Sequence, residues 1–369
     1  MKRHTISPRP DYEAKLADLS FNFHQEYWVE ESYYSFTPED IERIEQDTNE
    51  IYEMCINAVQ HVIDKDLLHL FDIPRPYAEL IRESWDADEP SIYGRFDFVY
   101  KEGRCHLLEF NADTPTSLYE AAVVQWQWKE DCFPENDQFN SIHEKLGDVF
   151  SELKSDYEVA SMHFACSYES LEDFTTTSYM QDRAAQNGIQ TSLIDIVDIG
   201  WNGVNFTDPS ELPIHDIFKL YPWEWVVREE FGECLLARSA NWYEPIWKMV
   251  MSNKAILPIL HQLYPEDKRI LPAFFSKPMR MSSYAKKPIL SREGANVELV
   301  SNHRVIASTD GEYGDGNFIW QELCLDEHDG HYPIIGSWVI GGEAAGIGIR
   351  ENSKIITDNL SHFVPHIID

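Results

Sequence analysis

Residues 94–111 read GRFDFVYKEGRCHLLEFN, two runs of alternating side chains on either side of Glu102 and Gly103. That pattern leaves few structures open: it predicts two antiparallel strands joined by a tight turn. Pairing Asp97 with Glu109 also pairs Arg95 with Asn111, and a period of two sends all four side chains to one face. Carboxylates directly opposite one another repel, by a few tenths to about 1 kcal/mol when exposed and by more when buried. The conflict can be relieved by a shared proton, by a one-residue slip that separates the faces, or by a divalent cation, with Arg95 contributing some relief. Two carboxylates and an amide carbonyl are hard oxygen donors of the kind Mg²⁺ accepts. The plain alternative is a surface hairpin.

The next stretch, NADTPTSLYEAAVVQWQW, predicts a helix start with Thr114 or Thr116 as cap and Pro115 early. Such an end is either routinely capped or turned toward an anion. Upstream, SFTPEDIERIEQDTNEIYEMCINAVQHVIDKDLL predicts a long amphipathic helix capped by Thr37, with Pro38 first and Ile41, Ile44, Ile51, Cys55, Ala58 and Val62 on its core face. In the middle, DYEVASMHFAC, LEDFTTTSYMQDRAAQNG and IQTSLIDIVDIG read as strand, helix and strand, one βαβ unit in a parallel layer. Glu169, Glu172 and Asp173 before that helix read either as a cation-recognising loop or as ordinary capping residues. EPIWKMVMSNKAILPILHQLY reads as helical up to Pro258. From about residue 283 onward the chain turns to short strands with glycine-bearing turns, among them NFIWQELC, YPIIGSWVIGGEAAGIGIR and KIITDN, which predict an antiparallel sheet.

Sixty-four acidic against 30 basic residues give a formal charge of -34. Such a chain repels nucleic acid and anionic membranes; the charge serves solubility or attracts a cation such as a polyamine. The six cysteines lack CxxC spacing, and no run approaches the length of a membrane span. With no apolar leader core at the start, the expectation is a soluble cytoplasmic protein with reduced thiols.

Taken in order, YGRFDFVY, LLEFNADTPTSLYEA, SNKAILPIL, KKPILSREGANV and GIGIRENSKIIT resemble the glutathionylspermidine synthase family, a branch of the ATP-grasp carboxylate–amine ligases. The resemblance covers essentially the whole chain, and it is nearest to the family's stand-alone bacterial acid–amine ligases. It implies an α/β (α+β) ATP-grasp-like synthetase, residues 1–369, with a central βαβ layer and a C-terminal antiparallel nucleotide-binding region. Within that unit, residues 1–150 would carry helices and the metal-binding hairpin, 151–250 the α/β layer, and 251–369 the nucleotide-binding region.

Residue by residue, the resemblance implies that Arg95, Phe96 and Asp97 approach the phosphates of ATP, and that Asp97, Glu109 and Asn111 hold Mg²⁺. It gives Lys254 and Lys287 as nucleotide-binding lysines, with Lys286 a weaker claimant, and Glu293 and Gly294 as part of a loop over the phosphates. Trp320, Gln321, Glu322 and Leu323 would form the strand beside the adenine, Ile355, Ile356 and Thr357 the return strand of the pocket. Arg350 would lie near the transferred phosphoryl group. Thr114 and Thr116 stand where related members use serines toward the acid. Read from the residues alone, Lys254 is a solvated helix lysine and Lys286–Lys287 a charged strand edge.

The activity so implied is amide formation from an acid and an amine through an acyl phosphate, with ADP and phosphate released. Its partners would be a glutathione-like or other peptide carboxylate and a polyamine-like amine. The rivals are a catalytically lapsed nucleotide- or polyamine-binding protein and a kinase-like phosphotransferase.

Overall fold

The computed structural model describes residues 1–21, 27–277, 280–357 and 361–369. The ribbon forms as the alternation requires. Strand β3 (Tyr93–Lys101) pairs antiparallel with β4 (Arg104–Asn111) around Glu102 and Gly103, whose φ angles of 54° and 69° suit a two-residue turn of the primed type. Unbroken pairing from that turn would set Asp97 against Leu108 and leave Glu109 on the opposite face. A bulge beside Asp97 takes up Leu108 as the extra residue. Beyond it Asp97 faces Glu109, Phe96 faces Phe110 and Arg95 faces Asn111. The pairing read from the sequence is therefore present, but it depends on a bulge that the alternation did not reveal.

Three later strands extend this ribbon: β16 (Ile334–Ile340), β17 (Glu343–Glu351) and β18 (His362–Val364), in the antiparallel order β18-β17-β16-β3-β4. The long helix Pro38–Asp64 covers one face. Thr37 caps it as expected, accepting from the Asp40 N–H while the Asp40 carboxylate accepts from the Thr37 N–H. Its buried stripe runs through Ile44, Ile51, Cys55, Ala58 and Val62. Against that stripe Phe96 stacks on Phe110 at 3.8 Å, and Tyr52 meets Phe110 edge-on. The side chain of Phe96 thus belongs to the core and not to a phosphate site, because it alternates with Asp97.

The βαβ reading also stands. β5 (Ser161–Cys166) and β6 (Gln190–Asp195) are parallel, joined by the helix Leu171–Gln186. β9 (Asp216–Leu220) and β10 (Asn241–Tyr243) complete a parallel sheet in the order β10-β9-β5-β6. Between β6 and β9 lies a short pair, β7 (Gly200–Trp201) and β8 (Phe206–Thr207). Ser170 caps the crossover helix by accepting from the Asp173 N–H at 3.2 Å.

A third sheet is antiparallel, in the order β11-β15-β12-β13-β14: Ala273–Phe274, Phe318–Glu322, Tyr284–Pro288, Glu298–Ser301 and Arg304–Ser308. The ends of the chain meet in a fourth, where β2 (Ser32–Phe36) lies between β1 (Lys2–Thr5) and β19 (His366–Ile368). The whole is a mixed α/β molecule. Among the described residues no helix is long and apolar enough to cross a membrane.

Three expectations need correction. The helix read up to Pro258 is broken into Lys248–Met251 and Ile256–Leu263. At the break the Asn253 side chain accepts from the Ala255 N–H and donates to the Phe71 carbonyl, both at 2.9 Å. Pro258 then falls in the first turn of the second helix, where a missing N–H costs nothing. After the ribbon, helical structure starts beyond Ser117 and not at Thr114 or Thr116, then widens into a π turn over Glu120–Val124. Residues 353–356 bend instead of forming the strand read in KIITDN; Asp358 and Asn359 of that stretch lie outside the described residues.

Candidate active site

Four side chains share the open face of the ribbon, as the pairing demands. Arg95 holds Asp97 side-on, Nε to Oδ1 at 2.8 Å and Nη2 to Oδ2 at 3.1 Å. The Arg95 guanidinium also donates to the Thr116 carbonyl and lies 5.8 Å from the centre of the Trp338 ring. Asn111 Nδ2 is 3.3 Å from Asp97 and 3.5 Å from Glu109.

Two lysines from elsewhere in the chain complete the group. At the helix break, Lys254 Nζ sits 3.0 Å from Glu109 Oε2 and donates to the Ser291 carbonyl at 2.6 Å. Lys287 on β12 donates to the carbonyl of the bulged Leu108 at 3.2 Å and to Gln321 Oε1 at 2.8 Å. Lys286, its neighbour, stands over the Phe318 ring instead. Alternation along β12 therefore settles which of the two enters the site.

The repulsion between Asp97 and Glu109 is thus answered by cations of the protein itself. Burial pushes the Glu109 carboxyl up, but Lys254, Lys287 and Arg95 outweigh it and hold the group down at about 2. For Lys287 burial dominates: its ammonium is pushed down to about 8, with Glu109 opposing and Lys254 adding to the fall.

A cleft opens between the ribbon and the β12–β15 sheet. Asp97, Glu109, Lys254, Lys287, Gly294, Gln321, Glu322, Leu323, Ile355, Ile356 and Thr357 all line it, so most of the residues singled out in the sequence come together. Apolar side chains such as Val99, Ala285, Leu299 and Ile334 form its walls. Gly294 has φ 70°, and a Cβ there would stand 2.5 Å from the Thr357 carbonyl oxygen. The loop 291–296 therefore lies directly on the segment 355–357. An adjoining recess brings Arg350 to Arg95, Asp97, Ser117 and Trp338.

Other candidates fall outside. Trp320 does not line the cleft, whereas Gln321, Glu322 and Leu323 beside it do; Glu293 contributes a turn at φ 54° but lines neither space. Thr114 and Thr116 line neither. The Thr114 hydroxyl is buried and without a hydrogen-bond partner among the described residues, and both carbonyls receive arginines, Arg292 at 3.5 Å and Arg95.

Several neighbours escaped the sequence reading. Arg292 lies 3.6 Å from Glu224 and 5.8 Å from the Trp225 ring, tying the loop to the turn Trp223–Val226. Asp113, just past the ribbon, pairs with the fully buried Lys219 of β9 at 2.5 Å and accepts from the Trp223 N–H at 2.8 Å. Ser117, Asp326 and Tyr332 also line the two spaces. Nothing in the spacing of these residues announces them, because each reaches the site through a contact distant in sequence.

Among the described residues, no three His, Cys, Asp or Glu side chains gather as a metal cage. The set Asp97, Glu109 and Asn111 nevertheless fits Mg²⁺, which takes one or two carboxylates and fills its remaining positions with water and phosphate oxygens. A half-turn of the Asn111 amide would present its oxygen in place of Nδ2.

The family description Glutathionylspermidine synthase preATP-grasp matches residues 3–369. The chain is similar to a Haemophilus influenzae protein provisionally named an acid–amine ligase, with 39% identity over 99% of each chain. It is 29% identical to trypanothione synthetase of Crithidia fasciculata, over 84% of this chain and 52% of that one. It is 28% identical to the bifunctional glutathionylspermidine synthetase/amidase of Escherichia coli, over 91% of this chain and 59% of that one. The chain thus spans little more than half the length of these two synthetases. Among solved structures, a provisionally assigned gamma-glutamylcysteine synthetase of Methylobacillus flagellatus covers 85% of this chain and 87% of its own, at TM-score 0.49 and 8% identity. That likeness is too slight to bear on the argument.

Proposed function

From the chain's membership of the glutathionylspermidine synthase family, whose named relatives are amide-forming ligases, we propose that it joins an acid to an amine at the expense of ATP, with Mg²⁺, in the cytoplasm. Six free cysteines suit a reducing compartment. The observation that carries the reading is the meeting in one cleft of Asp97 and Glu109 with Lys254 and Lys287.

In this proposal the apolar walls beside Gln321, Glu322 and Leu323 take the adenine, while Ile355, Ile356 and Thr357 close the cleft under the loop of Glu293 and Gly294. The two lysines, now turned to Glu109 and to backbone carbonyls, take phosphate oxygens when the nucleotide enters. Asp97, Glu109 and Asn111 would hold Mg²⁺, which when bound supplies positive charge to those oxygens.

The substrate carboxylate attacks the γ-phosphorus and ADP leaves; the amine then attacks the acyl carbon, phosphate departs and the nitrogen gives up a proton. Arg95 and Arg350 flank the recess where charge develops, so they act by fixed electrostatics and no covalent side-chain intermediate is needed. The acid is a peptide carboxylate of the glutathione kind, and the amine is polyamine-like.

Incubating the protein with Mg·ATP and a panel of acids and amines, with ADP release and product mass followed together, tests this. The expected product carries a new amide and no phosphate. A phosphorylated product would indicate a kinase, and nucleotide binding without turnover with any pair would indicate a lapsed enzyme.

A further inference from the structure

The loop 291–296 runs between β12 and β13 and lines the cleft through Ser291 and Gly294. A second loop, residues 309–317, joins β14 to β15 and lies against it. Gly311 comes so near that a Cβ there would stand 2.7 Å from both Ala295 Cβ and Asn296 Oδ1. The Tyr313 N–H donates to Asn296 Oδ1 at 2.7 Å.

At the centre of this contact is one hydroxyl. Thr309 Oγ1 accepts from the Val297 N–H at 3.0 Å and donates to the Gly294 carbonyl. The Thr309 N–H donates to the Val297 carbonyl, also at 3.0 Å. Such a bridge needs a group that accepts and donates at once, which a hydroxyl does and an aliphatic side chain does not. Thr309 itself does not line the cleft.

The direction of the Gly294 carbonyl matters beside an anion. A carbonyl oxygen repels a phosphate oxygen, whereas a backbone N–H turned to it attracts. Gly294 stands in the cleft wall at φ 70°, and among the described residues its own N–H has no acceptor. The next N–H, of Ala295, turns back to the Arg292 carbonyl at 2.9 Å. With its carbonyl engaged by Thr309, what Gly294 has left to offer a ligand is a donor.

We infer that Thr309 is a positioning residue for the loop over the phosphates: its hydroxyl ties down the Gly294 carbonyl, so that the loop meets anionic oxygens with an N–H and not with a carbonyl. The inference rests on the nucleotide reading of the cleft and deepens it, since it assigns part of the affinity for phosphate to a side chain outside the cleft.

The test is calorimetric titration of the full chain with a non-hydrolysable ATP analogue and Mg²⁺, and separately with adenosine, comparing wild type with Thr309→Val and Thr309→Ser. Valine keeps the size and branching of threonine and loses only the hydroxyl. Thr309 is half-buried at the end of an edge strand, so the fold is left intact, which circular dichroism checks. The expected result is that Thr309→Val weakens the analogue by about tenfold and leaves adenosine unchanged, while Thr309→Ser binds the analogue as wild type does. A merely structural contact would weaken both ligands alike. Undiminished binding of the analogue by Thr309→Val, an equal loss for adenosine, or no rescue by serine would overturn the inference and leave the nucleotide reading standing. Failure of the wild type to bind either ligand would overturn the nucleotide reading, and the inference with it.

Discussion

At the scale of single residues, Asp97 and Asp113 make opposite predictions although 16 positions separate two carboxylates of the same kind. Asp97 lines the cleft beside Arg95, so Asp97→Asn should abolish most ATP turnover, measured as phosphate release, with little change in unfolding midpoint. Asp113 is buried against Lys219. Removing one partner of such a pair strands the other charge and costs about 3–5 kcal/mol, so Asp113→Ala should lower stability by that order in urea unfolding. Equal loss of stability in both variants would contradict this division. Lys287 gives a pH prediction. Its ammonium, lowered by burial to about 8, carries charge below that pH and loses it above. Affinity for a non-hydrolysable ATP analogue should therefore fall above pH 8, approaching about tenfold per unit, and Lys287→Arg should remove the fall. The stability of the free protein moves the other way. Between about 8 and the unfolded value of 10.5 the native lysine has lost a proton that the unfolded one keeps, so unfolding becomes harder as pH rises.

At the scale of elements, the loop 291–296 makes its case through one glycine. Gly294 holds φ 70° with the Thr357 carbonyl where a Cβ would go, and an L-residue in that conformation costs roughly 1–2 kcal/mol before any clash. Gly294→Ala should hold the loop off the segment 355–357 and weaken nucleotide binding by about tenfold or more, with global stability little changed; calorimetric titration with the analogue measures it. That glycine was legible in SREGAN as a turn, while the contact that makes it matter was not. The same limit applies elsewhere. Period-two alternation announced the ribbon and put Asp97, Glu109, Arg95 and Asn111 on one face, yet the bulge at Leu108 that permits this pairing leaves no mark in an alternating pattern. The Thr37 cap and the βαβ unit were legible because local chemistry dictates them. The break at Asn253 was not, since its bond to Phe71 crosses the chain, and Arg292 and Glu224 meet for the same reason. Alternation also decides against Phe96 as a lining side chain and for Lys287 over Lys286, a discrimination that a motif quoted as a block does not make.

At the scale of the molecule, the cleft exists because segments far apart in sequence are woven into one sheet. The ribbon β3–β4 continues directly into β16, β17 and β18, so residues 93–111 and 334–364 share a sheet that any boundary near 250 would cut. Asp97 and Glu109 come from one side of that boundary, Lys254 and Lys287 from the other. The ends are bound in the same way: β19 pairs with β2, and Arg3 holds Glu351 at 2.7 Å beneath the Tyr34 hydroxyl. A chain divided after residue 250 would leave the β3 edge of the ribbon without β16, exposing unpaired backbone groups of the kind that drive aggregation. It would also separate the helix Pro38–Asp64 from two strands it covers. We propose that segments 1–150, 151–250 and 251–369 are regions of one cooperative unit and not independent folds. Fragments 1–250 and 251–369, made separately, should give no cooperative unfolding transition, while the intact chain should unfold with coincident tryptophan fluorescence and far-ultraviolet circular dichroism curves. A cooperative transition in either fragment alone would show that the shared sheet does not hold the molecule together, and the cleft between its two halves would then be a hinge and not a fixed seam.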